Sequence, residues 1–83
     1  MKTTIEFNLE KFPYEDFKDF YKERNELDNL DVSIYPNHDF FIGIIVFTVK
    51  VRFNDIAASK REKQLYKAIV KTLKPLDFDN GLK

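Results

Sequence analysis

Apolar and polar positions alternate strictly from Thr3 to Leu9, with Ile5, Phe7 and Leu9 on one parity and Thr4, Glu6 and Asn8 on the other. A period of two is that of a half-buried strand. Phe12-Pro13 interrupts the pattern, and Pro13 suits the first turn of a helix, where a missing N–H has no partner to lose. Beyond it, Tyr14, Phe17, Phe20, Tyr21 and Leu27 recur at helical spacing while Glu15, Asp19, Glu23 and Glu26 fall on the opposite side. The spacing therefore predicts an amphipathic helix over 13–28. Arg24 lies within the apolar sector and is expected to snorkel to water or to pair with a carboxylate.

A short second strand is predicted over 32–35, closed by the turn-forming run Pro36-Asn37-His38-Asp39. The third strand, over 40–53, is too long for one flat element, so a bend or bulge is expected near Gly43. From Phe47 onward it alternates, Phe47, Val49, Val51 and Phe53 against Thr48, Lys50 and Arg52, whereas from Phe40 to Val46 both parities are apolar. Phe40, Ile42, Ile44 and Val46 oppose the inward parity, so they are expected to be covered by a helix or to form a patch for a homodimer or another partner. Ser59-Lys60-Arg61-Glu62 matches a capping box. A second helix should begin at Lys60, with Asp55 as an alternative cap one turn earlier. It should bury Leu65, Tyr66, Ile69 and Leu73, and stop at Pro75. Residues 76–83 are expected to form a loosely held tail.

The order β-α-β-β-α predicts a small single-domain α+β fold over 1–83, ordered over about 3–75, with a three-stranded, mainly antiparallel sheet packed with two helices. Composition agrees: 43% apolar residues, nine Phe and four Tyr among them, supply one core for 83 residues and exclude intrinsic disorder. Fourteen basic residues balance fourteen acidic ones, so net charge selects no partner. Absence of cysteine removes disulfides, thiolate nucleophiles and thiolate-ligated metals. The longest apolar run, over 40–47, is far short of the roughly 20 residues that span a bilayer, and the first ten residues lack the pattern of a signal peptide. No membrane association and a cytoplasmic location are the expectation. Frequent Lys, Asn, Ile, Phe and Tyr, which have A/T-rich codons, suggest a bacterial or phage genome.

Candidate chemistry is sparse. The one histidine, His38, falls in the predicted turn, and Ser59 is assigned to a cap, which leaves no nucleophile with a base. His38-Asp39 is too small a set for a metal. Asp77-Phe78-Asp79-Asn80-Gly81 begins like a calcium loop but is not followed by the glutamate that such a loop requires. Glu15 and Asp19 sit on a polar helix face with nothing to tune them. Neither catalytic residues nor a cofactor are therefore expected.

Charge is nevertheless segregated by sign. Lys60, Lys63, Lys67, Lys71 and Lys74 occupy a sector of roughly 80° on the second helix. The first helix is acidic on its outer side, through Glu15, Asp19, Glu23 and Glu26. Solvated faces are the ordinary explanation, but like-charge neighbours four apart cost stability that mixed signs would avoid. The leading expectation is a small non-enzymatic protein-binding module, an inhibitor or accessory factor acting by occupying a partner's surface through the acidic face. The alternative is a nucleic-acid-binding protein that places the lysine stripe on phosphates.

Overall fold

In the computed structural model, which describes residues 2–39 and 43–78, strand β3 (Ile44–Asn54) is the centre of an antiparallel sheet ordered β1-β3-β2. Its neighbours are β1 (Lys2–Leu9) and β2 (Leu30–Asp39). Ile5 pairs with Val51 and Phe7 with Val49 on one side, and Val32 pairs with Val51 and Ile34 with Val49 on the other. The register puts the apolar parity of all three strands on one face. Helix α1 (Lys18–Glu23) lies between 3-10 turns over Glu15–Phe17 and Arg24–Glu26. Helix α2 (Lys60–Leu73) continues into a 3-10 turn over Lys74–Leu76.

Both helices pack on the apolar face. Phe17 and Phe20, then Leu65, Ile69 and Leu73, join Phe7, Leu9, Phe12, Leu30, Val49, Val51 and Phe53 in one buried cluster. Tyr66 stacks flat on Phe53, ring centroids 4.1 Å apart, and Phe12 meets Phe17 at 4.9 Å. The shortest dimension is 17 Å, enough for one sheet and one helical layer and no third. Among the described residues nothing covers the other face of the sheet, which explains why its parity is Thr, Lys and Arg.

Glu62 fastens the two layers together. Its carboxylate accepts the Ser59 backbone N–H at 2.8 Å and the Asn29 backbone N–H at 2.7 Å, while Ser59 Oγ accepts the Glu62 N–H at 3.1 Å. The expected capping box is present, and one of its members also ties down the start of β2. These hydrogen bonds, the Ser59 N–H first and the Asn29 N–H second, hold the Glu62 carboxyl at about 2.

Several expected boundaries move. The first helix is not continuous over 13–28: only Lys18–Glu23 is α-helical, and both flanks tighten to 3-10 geometry. Pro36, Asn37, His38 and Asp39 are not a turn but the last residues of β2, paired with Phe47, Val46, Ile45 and Ile44. An edge strand tolerates Pro36, because a proline N lost from the outer side costs no ladder bond. The third strand is described from Ile44, and residues 40–42 of its expected span lie outside the described residues; Gly43, at φ 69°, is a turn residue ahead of β3 and not a bulge within it. A left-handed φ there is why glycine serves. The tail begins with a tether, since Asp77 Oδ1 accepts the Asn8 N–H at 3.2 Å on the free edge of β1.

Candidate binding surfaces

Four surfaces carry the chemistry-bearing residues. On the outer sheet face, Arg52 Nη1 donates to Asp31 Oδ2 and Ser33 Oγ, both at 3.0 Å. Lys50 lies over the Tyr35 ring at 5.6 Å. Ser33 first and Arg52 second hydrogen-bond the Tyr35 hydroxyl and lower its pKa. Asn37 Nδ2 donates to Thr48 Oγ1, which donates to Asn8 Oδ1, each at 3.0 Å, so a polar ladder crosses all three strands. On this face Asp31 thus neutralises Arg52, and Glu6 stands opposite Lys50 in the register.

The acidic residues of the first helical segment are divided. Glu15 pairs with Lys18 at 2.8 Å. Glu23 takes a two-pronged contact from Arg61 of α2, at 2.9 Å from Nε and 2.5 Å from Nη2, which lowers the Glu23 pKa and raises that of Arg61. Asp16 and Asp19 line a shallow groove with Phe20, Arg61, Gln64 and Ala68. Glu26 is exposed. Of the four residues expected to form one steering face, Glu15 and Glu23 thus hold intramolecular partners, and Glu23 lies at the junction of the helices. Arg24 is exposed, 6.0 Å from the Tyr21 ring, so the snorkelling expectation holds.

Lysines 60, 63, 67, 71 and 74 are brought together as expected. All are exposed on the side of α2 opposite its buried Leu65, Ile69 and Leu73, and none makes an ion pair among the described residues.

The fourth surface lies at the hairpin end. β1 stops at Leu9 opposite Phe47, so Ile44–Val46 run on with β2 alone. Ile45 is exposed there, and Phe12 links Phe47, at 6.5 Å, to Tyr14, at 4.8 Å. Tyr14 is 61% exposed and shares a mostly apolar cleft with Phe12, Pro13 and Leu76, rimmed by Lys11, Glu15 and Asp16. Helical spacing had assigned Tyr14 to the buried side. The 3-10 turn rotates it outward. Of the expected patch, Val46 is half-buried on the polar parity beside Asn37, while Phe40, Ile42 and the Ile44 side chain lie outside the described residues.

Among the described residues no three His, Cys, Asp or Glu side chains gather as a metal site, and no helix is long and apolar enough to cross a membrane. His38 is an exposed strand residue opposite Ile45. The architecture defines a small α+β domain with both helices on one face of a three-stranded antiparallel sheet. Comparison with known protein families, with curated proteins and with solved structures finds no match to this chain.

Proposed function

We propose that this protein is a non-enzymatic protein-binding module, an inhibitor or accessory factor that acts by occupying a partner's surface. One observation carries the reading: Tyr14, 61% exposed, stands on an apolar cleft whose rim includes the carboxylates of Glu15 and Asp16. Exposed tyrosine beside apolar surface is the usual composition of an interface anchor, because its ring offers a large area at small entropic cost. Asp16, which makes no ion pair among the described residues, favours a partner that sets Lys or Arg at the edge of the cleft, and steers its approach. Asp19 and Glu26 extend that field along the first helical segment.

The test is affinity capture from the source cell with the wild-type chain, Tyr14→Ala and Asp16→Lys, followed by binding measurements on the protein retained. The reading expects a partner whose affinity falls at least tenfold with Tyr14→Ala and whose association slows with Asp16→Lys. Tyr14 is outside the buried cluster, so both variants should keep the wild-type fold by circular dichroism. Retention of every captured protein by Tyr14→Ala at wild-type affinity overturns it.

A further inference from the structure

We propose that the outer face of α2 is a separate binding surface for the phosphate backbone of double-stranded nucleic acid. The first observation is the pattern of pairing. Arg61, the cation of α2 that lies off the stripe, is held by Glu23, Arg52 is held by Asp31, and Lys18 by Glu15. Lysines 60, 63, 67, 71 and 74 make no ion pair among the described residues, and the one carboxylate within α2, Glu62, is turned into the core. The helix therefore presents positive charge that nothing on its own surface offsets. Net neutrality of the chain does not cancel it, because salt screens charges over about 8–10 Å and contacts inside that range decide.

Geometry comes second. From Lys60 to Lys74 the axial rise is about 21 Å, within a sector of about 80°, on a helix fixed at its start by the capping box. A straight, rigid row of ammonium groups matches a polyanion that offers one charge per roughly 1.7 Å of duplex axis. A carboxylate patch on a protein has neither that charge density nor the condensed counterions whose release drives binding. Single strands are the weaker match, since they are held largely by aromatic stacking. The one aromatic residue of α2, Tyr66, is half-buried against Phe53 and offers no platform. Lysine ammonium groups act on phosphates as point charges, so binding rests on the backbone and shows little sequence preference.

Fluorescence anisotropy of a labelled 20-bp DNA duplex, titrated with the whole protein from 50 to 200 mM salt, tests this. Four or five phosphate contacts give a log–log slope of about −4, which is roughly a 250-fold loss of affinity over that range. Replacing Lys63, Lys67 and Lys71 by Gln should reduce the slope to between about −1 and −2. Replacing the same three by Arg should restore it, which separates lost charge from a disturbed helix. Tyr14→Ala should bind duplex like wild type, so this surface stands or falls independently of the protein-binding cleft. No binding at 50 mM salt overturns the proposal, as does a slope unchanged by the Gln variant, or a single strand of equal length bound tenfold more tightly.

Discussion

Replacing Glu62 by Gln tests the account of how the layers are joined. One carboxylate oxygen accepts the Ser59 N–H and the Asn29 side-chain amide, the other accepts the Asn29 backbone N–H, and the side chain is 5% exposed. Gln keeps one acceptor and turns an NH2 towards a donor, so one backbone N–H is left without a partner. Hydrogen bonds to a charged group contribute about 1.5–3 kcal/mol each, and an orphaned donor costs about 1–3 kcal/mol. A loss of about 2 kcal/mol at pH 7 is expected. The pH dependence gives a sharper check. A carboxyl lowered from 4.5 to about 2 by folding adds stability that is complete above the unfolded value. It is lost as pH falls from near 4.5 towards 2. The linkage ceiling is roughly 3.4 kcal/mol at about 1.36 kcal/mol per pH unit. Exposed Ser59, Lys60 and Lys63 around it in the first turn of α2 let water screen this to about 1–2 kcal/mol. Urea unfolding followed by far-UV circular dichroism between pH 2 and 7 measures it. Wild type should lose its advantage over Glu62→Gln progressively below pH 4.5, and the two curves should approach each other near pH 2. Parallel curves across the whole range would refute the assignment, because other carboxylates affect both proteins alike.

Two further substitutions probe the turn and the core. Gly43→Ala introduces a Cβ with nothing within 4 Å, so its cost is backbone strain at φ 69° alone. About 1 kcal/mol is expected from urea unfolding, with Asn costing less than Ala; no difference between the two would remove the left-handed turn from the explanation. Phe17→Ala empties a site 1% exposed that touches the Phe12, Phe20 and Tyr21 rings. A loss of about 3–5 kcal/mol is expected, close to the whole stability of a domain this small. Calorimetry should show either a much lower Tm or no transition, and a loss under about 1 kcal/mol would mean that the first helical segment does not seal the core.

Legibility from sequence followed the strength of the local signal. Thr3–Leu9 and Phe47–Phe53 alternate because one face is buried and the other wet, and the register confirms both strands. Ser59 and Glu62 mark the start of α2 through chemistry that needs no tertiary knowledge. Pro36-Asn37-His38-Asp39 misled because residues that favour turns are also tolerated on an edge strand, and which strand is at the edge depends on the pairing partner. Tyr14 misled for a related reason: one apolar residue among helically spaced neighbours looks buried, but Pro13 and the short 3-10 turn change the angle at which it leaves the backbone. Asn29, the far partner of Glu62, gave no signal, since it lies 33 positions away in the chain.

Where a partner can bind is limited by what each surface gives up on losing water. Covering the outer sheet face would desolvate Glu6, Arg52 with Asp31, and Lys50 over Tyr35, and the last two contacts are already satisfied within the chain. An ion pair taken out of water loses more than its attraction returns unless new hydrogen bonds replace the solvent. A second copy stacked face to face through this sheet supplies mainly the same polar mosaic, with half-buried Val46 and the Tyr35 ring as its apolar part among the described residues, so that mode of homodimer is disfavoured. At the hairpin end the balance reverses. Burial of Tyr14, Leu76 and Ile45 removes apolar area, at about 25 cal/mol per Å², and leaves Glu15 and Asp16 at a rim where they keep their water. A homodimer, if one forms, is therefore expected through the hairpin end, and light scattering coupled to size exclusion then has a defined outcome. Tyr14→Ala should yield a folded monomer. A dimer that survives this substitution but is dispersed by Lys50→Glu would place the interface on the sheet and reverse the argument.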